Sequence, residues 1–412
     1  MQDTLKLVKE SLFSLESYLE TTDLKGYDPY DALNSSLLSM LSSQSRILRL
    51  VFTQSLKRLP INLRPLLGVR KGYNPKGMGL FLSAYLKMYD IYGDSKYLKK
   101  AIQIIDILKN LNSAGYSGFC WGYNFDWQSE TDLTPKYTPT IVNTVFVADA
   151  LLDAYDVTQD AEYFNIARSA CDFILNDLNI LQSENGICFS YTPLDMAKIH
   201  NANLLGANLL ARVYSYSAEE VLLTMAKRSV QYTLFHQNRD GSWYYGVTKN
   251  KEGVWQGGDK IMPDTRDSGF VRYIDGYHTG FVLDSLWAYS TYSKDKSYHE
   301  NIKRGLSFYA DHFFLKDGTP KYFYHKTHPV DIHSIQAIIT FSKLYSLKPY
   351  EELMSRIATW CITNMQDSRG YFYYRKGKFW KNKIPYIRWS QAWAFLALST
   401  YLQIMETKSN DH

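Results

Sequence analysis

The sequence predicts an all-α toroid of six helical hairpins, an (α/α)6 architecture with an inner ring of helices inside an outer ring. Two observations carry this. Six apolar segments rich in small residues recur along the 412 residues, beginning at Asn74, Thr138, His200, Asp275, Asp331 and Arg388, with starts 64, 62, 75, 56 and 57 residues apart. Between them lie segments that are charged on one side and apolar on the other. A repeat of that length holds two helices and two loops. A helix apolar nearly all round is buried on both sides, whereas a one-sided helix meets water.

In chain order the inner segments read NPKGMGLFLSAYLKMYD, TPTIVNTVFVADALLDAY, HNANLLGANLLARVY, DGYHTGFVLDSLWAYS, DIHSIQAIITFSKLY and RWSQAWAFLALSTYL. Most open on a polar or Pro residue suited to a first helical turn. The outer partners are KYLKKAIQIIDILKN, AEYFNIARSACDFILND, AEEVLLTMAKRSVQYTLFHQ, YHENIKRGLSFYADHFF and YEELMSRIATWCITNMQ. The sixth outer helix is expected from the N-terminal region, so residues 1–412 read as one toroid domain. After several outer helices a Gln is followed four residues on by Gly and then by an aromatic: Gln182, Gly186 and Phe189; Gln237, Gly241 and Trp243; Gln366, Gly370 and Phe372. The Gly allows a left-handed helix stop and the aromatic packs the turn. The longest irregular stretch, from Gly246 to Tyr273, is a candidate lid or substrate arm, or a variable surface loop.

Composition narrows the function. The net charge of +5 comes without a Lys/Arg block, which does not fit a nucleic-acid footprint, so no nucleic-acid partner is expected. Four scattered cysteines without a Cys-x-x-Cys pair fit buried free thiols in a reducing compartment. The N-terminus lacks the apolar run of a signal peptide or membrane span, so the chain is expected to be cytoplasmic and not membrane-spanning. Aromatics reach 15%, with 34 Tyr and 9 Trp, and tyrosine suits the wall of a wet, sugar-binding cavity as well as helix interfaces.

In a hairpin toroid the inner helices run the same way, so their N-termini share one mouth and polar residues there converge. Trp121, Tyr123, Asp126 and Trp127 precede the second inner helix, and Tyr191, Asp195, His200 and Asn201 the third. Arg272, Asp275, Tyr277 and His278 mark the fourth; Tyr324, His325, Asp331 and His333 the fifth; Tyr386, Arg388 and Trp389 the sixth. Four of the nine histidines lie at or just before these starts. Asp275, Asp331 and Thr138 also read as helix N-caps, the histidines as interior hydrogen bonders, and Trp121, Trp127 and Trp389 as core packing. His278, His333 and a carboxylate are conceivable metal ligands, but no His-x-x-x-His spacing backs them; neither a metal nor a cofactor is expected. Gly-rich phosphate loops and Gly-x-Ser-x-Gly are absent.

Two kinds of resemblance add to this. QNRDGSW, Gln237 to Trp243, resembles the repeat motif of squalene and oxidosqualene cyclases, which are hairpin toroids, although their Asp-rich proton-donor motif is missing here. Read in order, GYDPYDALNS, PINLRPLLGVRKGYNPKG, GYNFDWQS, FSYTPLD, IDGYHTGF, DIHSIQAI and KIPYIRWSQAW resemble, over nearly the whole chain, a family of bacterial and archaeal surface-polysaccharide biosynthesis proteins. The plan is similar to six-hairpin glycosidases and N-acylglucosamine 2-epimerases. RYIDGYHTGF is similar to the Tyr-His helix start of the glucuronyl 5-epimerases, with Tyr277 and His278 corresponding. The resemblance implies a glycan pathway and a carbohydrate partner, an oligo- or polysaccharide of acidic or lipid-linked kind.

Three readings follow. In an epimerase or lyase, a Tyr or His removes the proton alpha to a uronate carboxylate while Arg272 or Arg388 neutralises it, with Tyr277, His278, Asp275, Asp331, His333 and Arg388 as catalytic candidates. In a glycoside hydrolase, two of Asp126, Asp195, Asp275 and Asp331 flank the scissile bond. A noncatalytic glycan-binding protein would use the same aromatics. The sugar-contacting candidates are Trp121, Tyr123, Asp126, Trp127, Tyr191, Asp195, His200, Asn201, Arg272 and Trp389.

Overall fold

The computed structural model describes residues 2–129, 132–249, 255–256, 273–347 and 349–410. It opens with α1 (Gln2–Thr22), a 3-10 turn (Asp31–Asn34), α2 (Ser36–Ser42) and α3 (Arg46–Arg58). Hairpins follow: α4 (Pro75–Tyr92) with α5 (Ser95–Asn110), α6 (Ile141–Thr158) with α7 (Ala161–Asn176), α8 (His200–Ser217) with α9 (Glu220–Phe235), and α10 (Gly276–Ser293) with α11 (His299–His312). The last are α12 (Ala337–Lys343) with α13 (Glu351–Met365), and α14 (Ala392–Asn410). Helices α4, α6, α8, α10, α12 and α14 each touch the next, and α14 returns to α4, which closes an inner ring. The fold is an (α/α)6 toroid. Helix α1 packs on α13 and α14.

The inner helices are buried on nearly every side, as α6 and α8 show, with Ile141, Val145, Ala148 and Leu152 of one and Leu204, Ala207, Leu209 and Val213 of the other all inaccessible. Each such Val, Leu or Ile side chain contributes about 1.5–3 kcal/mol on burial, and that repeated gain holds the ring. Starts are fixed by capping side chains: Asn74 accepts from Gly77 N (3.3 Å), Thr140 from Asn143 N (3.0 Å), Asp275 from His278 N (2.9 Å) and Asp331 from His333 N (3.1 Å). For the second helix the cap is therefore Thr140, two residues beyond Thr138. The fifth and sixth inner segments start irregularly, with a 3-10 turn over Ile332–Gln336 and a π turn over Ile387–Gln391.

Gly241 (φ +94°) and Gly370 (φ +97°) take the positive φ expected of them, but not as helix stops: α9 ends on His236 (φ −90°) and α13 on Gln366 (φ −92°), and each glycine closes a turn further on. Their second role is close approach. A Cβ on Gly241 would lie 2.5 Å from Arg304 O of α11, and one on Gly370 would lie 2.1 Å from Ser14 O of α1. The preceding glutamine clamps each turn: Gln237 Nε2 donates to Gly241 O (3.0 Å) and Asn301 O (2.9 Å), and Gln366 Nε2 donates to Gly370 O (2.8 Å) and Ser11 O (3.0 Å). Each motif thus fastens one hairpin to the next outer helix, and the last fastens α13 to α1.

Short ribbons line the mouth. In one, β-strand Val330–Asp331 pairs with Arg375–Lys376 so that Asp331 faces Arg375. Helices α2 and α3 lie over the same rim. They pack on the 3-10 turn at Asp31–Asn34, and α3 touches the strand Trp127–Gln128. No helix among the described residues is long and apolar enough to cross a membrane.

Candidate active site

Helix α10 presents the most chemically organised feature of the mouth. Asp275, 1% exposed, uses one carboxylate oxygen to cap the helix through His278 N. The other oxygen meets His278 Nδ1 at 2.6 Å. A carboxylate there fixes the hydrogen on Nδ1 and leaves Nε2 as a lone-pair acceptor. Nothing among the described residues bonds that Nε2, and the side chain is 18% exposed. The rings of Tyr245 and Tyr277 flank it at 4.4 and 4.2 Å. A small cleft of about 10 Å3, room for about one water, lies beside it, lined by His200, Asn201, Trp243, Tyr244, Tyr245, Tyr273, Asp275 and His278. Tyr245 and Tyr273 stack at 5.0 Å on its wall. Burial holds His200 neutral, its pKa pulled down to about 3, with Nδ1 3.4 Å from Thr233 Oγ1.

Beside this dyad lies a buried imidazole whose ring nitrogens lack a well-formed hydrogen bond, the backbone of Trp389 being the polar group that comes near. His333 is 1% exposed, packed between Tyr277 (4.7 Å), Trp389 (4.6 Å) and Trp393 (4.9 Å), and neither ring nitrogen has a hydrogen bond. Burial, with Lys76, Arg388 and His278 nearby, keeps it neutral. Lys76, in the first turn of α4 and 4% exposed, points its amine at Phe146 (4.3 Å), Phe281 (5.1 Å) and Trp393 (5.2 Å), aromatics from three different inner helices. Burial and the neighbouring Arg388 push its pKa well below the usual lysine range. No carboxylate of the described residues forms an ion pair with it.

The other charged candidates are already matched. Arg388 binds Asp28 through Nε (2.6 Å) and Nη2 (2.8 Å), both side chains buried. Arg64 Nε similarly holds Asp31 at 2.5 Å, and its Nη1 donates to Tyr386 OH at 2.9 Å. Asp331 accepts from Trp389 Nε1 (2.8 Å) and from Arg375 Nε (2.7 Å) besides capping its helix turn. Asp126 accepts from Lys136 N, and Asp195 accepts from Tyr191 N, Thr192 N and Ala197 N, so both carboxylates shape turns.

The candidates therefore fall into separate groups. His200, Asn201, Asp275 and His278 share one pocket, and Tyr277, His333 and Trp389 pack ring to ring beside it. Tyr123 and Tyr191 join hydroxyls at 2.9 Å with Trp127 against them. Tyr277 pairs likewise with Tyr322 at 2.9 Å, and burial keeps both phenols protonated. Trp121 is a core residue, inaccessible and donating to Leu108 O (2.8 Å). Arg272 and most of the Gly246–Tyr273 loop lie outside the described residues. A shallow depression of about 600 Å3 between α5 and α7, lined by Asn112, Tyr116 and Glu162, holds none of these groups. Among the described residues no three His, Cys, Asp or Glu side chains are grouped as metal ligands.

Lys76, Tyr245, Tyr273, Tyr322, Asp28, Arg64 and Arg375 were not singled out from the sequence. Lys76 left one signal: a cation in the first turn of an otherwise buried helix opposes both burial and the helix dipole. Arg375 left none, because a strand pairing brings it to Asp331.

No protein-family model and no curated protein sequence matches the chain. Solved structures match its shape. An unsaturated glucuronyl hydrolase specific for heparin superimposes with TM-score 0.62 at 14% identity, covering 98% of this chain and 99% of that one. Cellobiose 2-epimerase from Bacillus thermoamylovorans gives 0.59 at 16% identity, over 82% and 90%. A glycoside hydrolase family 76 mannosidase from Bacteroides thetaiotaomicron gives 0.58 at 14%, over 82% and 88%. These likenesses are of fold.

Proposed function

We propose that the chain is a glycan-processing enzyme that removes the proton alpha to a uronate carboxylate, as an epimerase or a lyase does, with His278 Nε2 as the base. The observation that carries this is the Asp275–His278 contact, which leaves one imidazole lone pair open beside a small aromatic-walled cleft that a sugar would have to widen. The use of this toroid by a glucuronyl hydrolase, a cellobiose 2-epimerase and a mannosidase supports a saccharide substrate. A paired-carboxylate hydrolysis is less well served, since Asp126, Asp195, Asp275 and Asp331 are all engaged in caps, turns or ion pairs.

In the proposed step the C5 proton passes to His278 Nε2, and Asp275 stabilises the imidazolium. The C–H electron pair moves into the carboxylate, giving an enediolate. Its charge needs a cation, and Arg388 is spent on Asp28, so Lys76, protonated as the carboxylate binds, takes that role with His333 beside it. Return of a proton to the other face of C5 gives the epimer, with the Tyr277–Tyr322 hydroxyl pair as donor. Loss of the 4-oxygen substituent gives a double bond instead. Trp127, Tyr123, Tyr191, Asn201, Tyr245 and Trp389 supply stacking faces and hydrogen bonds for the flanking sugars.

Incubation of glucuronate-containing polysaccharides in deuterated water, read by NMR, tests the reading. Deuterium at C5 or a new double bond, lost in His278→Gln, is the expected result. New reducing ends without exchange would assign a hydrolase, and tight binding without any chemical change a binding protein; either outcome rejects the proposal.

A further inference from the structure

The segment from Ser36 to Lys71 is unlike the rest of the chain. It holds seven cations, Arg46, Arg49, Lys57, Arg58, Arg64, Arg70 and Lys71, and no Asp or Glu. The whole chain carries only +5, so the remainder is net acidic. Arg64 is buried on Asp31, whereas Arg46, Arg58, Arg70 and Lys71 are exposed.

Leu38, Phe52, Leu56 and Leu67 of this segment pack inward on Ala32, but many of its other apolar side chains turn outward. In α2, Leu37, Met40 and Leu41 form an i, i+3, i+4 stripe that faces solvent, and α3 continues it with Ile47, Leu48 and Val51. The following turn adds Leu59, Ile61 and Leu66. Met40 and Ile47 are each 67% exposed and Leu66 is 84% exposed. Scattered exposed leucines are ordinary, but a contiguous set on two adjoining helices marks a contact surface. Apolar side chains projecting outward with cations among them match an element that lies in a bilayer interface. A protein groove would ask for no such excess of one charge.

The patch sits beside the mouth of the ring. Arg49 Nε donates to Gln128 Oε1 (2.7 Å), Asn382 Nδ2 donates to Leu59 O (2.9 Å), and Lys57 Nζ reaches Tyr30 OH (2.5 Å) while lying 5.9 Å from the Trp389 ring. We infer that α2, α3 and the turn after them form a docking surface for an anionic lipid bilayer, seating the mouth at the membrane face. With the glycan reading this brings the pocket to a saccharide carried on a lipid, but the docking stands on the patch alone.

Flotation of the full-length protein with vesicles of phosphatidylcholine plus phosphatidylglycerol tests it. Wild type floats with these vesicles, binds phosphatidylcholine alone weakly, and is released by high salt. Ile47→Glu with Val51→Glu, both at exposed positions and compatible with folding by circular dichroism, lowers binding about tenfold or more. Arg58→Gln and Lys71→Gln each lower it about fivefold on anionic vesicles only. Equal flotation of wild type and the double-Glu variant would overturn the inference. So would a wild-type dimer in light scattering that the double-Glu variant converts to monomer, which would assign the face to a second copy of the chain. C5 exchange on a soluble glycan is scored separately, so loss of either idea leaves the other measurable.

Discussion

Replacing Lys76 by Met removes a buried amine while keeping an unbranched side chain of similar length. In the folded chain the amine ionises below its ordinary value of 10.5, because burial and Arg388 oppose the charge and Asp28 is already paired. The unfolded chain then holds one more proton than the folded chain between the two values. Wild-type stability should therefore rise with pH through that window and fall as the medium becomes more acid, at up to about 1.4 kcal/mol per pH unit. The Met variant lacks this dependence. Its stability advantage should be greatest on the acid side and shrink as pH climbs towards the ordinary value. There only the unmade hydrogen bonds of the neutral amine remain, worth about 1–3 kcal/mol. His333, Arg388 and Asp28, whose charges act on the amine or are acted on by it, are present in both proteins, so what they contribute is common to the two curves. Guanidinium unfolding of both proteins, followed by tryptophan fluorescence at several values between about pH 6 and pH 9, measures that difference. A difference that stays flat across this range, or a Met variant less stable throughout, would refute the picture of an unpartnered amine.

The same amine should take up about one proton when D-glucuronate binds, seen as a buffer-dependent heat in titration calorimetry and missing in Lys76→Met; identical heats in buffers of different ionisation enthalpy would remove it from the carboxylate site. Asp275→Asn should keep the helix cap, with stability within about 1 kcal/mol, yet lower C5 exchange by about 10²–10⁴-fold, because an amide facing Nδ1 no longer fixes the useful tautomer; parallel loss of both would mean a structural role only. Asp28→Asn leaves Arg388 buried beside a neutral group and should cost about 3–5 kcal/mol by chemical denaturation; a cost under about 1 kcal/mol would mean that water reaches the pair. Gly370→Ala should cost about 1–2 kcal/mol for the left-handed backbone and about 1–3 more for the collision with Ser14 O, and an unchanged unfolding midpoint would argue against that contact.

The ring was legible because its signal is repetition. Apolar residues on all sides of Ile141–Thr158 and His200–Ser217 and one-sided partners between them leave little choice of architecture. Helices α2 and α3 were not legible. Apart from Leu38, Phe52 and Leu56 their apolar side chains face outward, so a reading that assigns apolar stripes to the core has no place for them. At the mouth, Asp275 and His278 could be singled out because an N-cap and the residue three on necessarily adjoin. The partner of Asp331 could not, since Arg375 stands 44 residues away across a two-residue ribbon. For Asp275 and Asp331, capping and site chemistry were alternatives in the sequence. In the structure each carboxylate caps with one oxygen and turns the other to His278 or Arg375.

The clasp between Gln366 and Ser11 joins residues 355 apart in the chain. Helix α1 leaves the ribosome long before α13 and α14 exist, so the part of its apolar side that they cover must wait, although Phe13 can already meet Tyr92 at the end of α4. Assembly is then a matter of timing: each new hairpin can settle on the one before it, but α1 completes its seat only when α13 and α14 arrive. A chain stalled before Gly370 lacks α14, so its inner ring stands open between α12 and α4, which is the species a chaperone or a protease would meet.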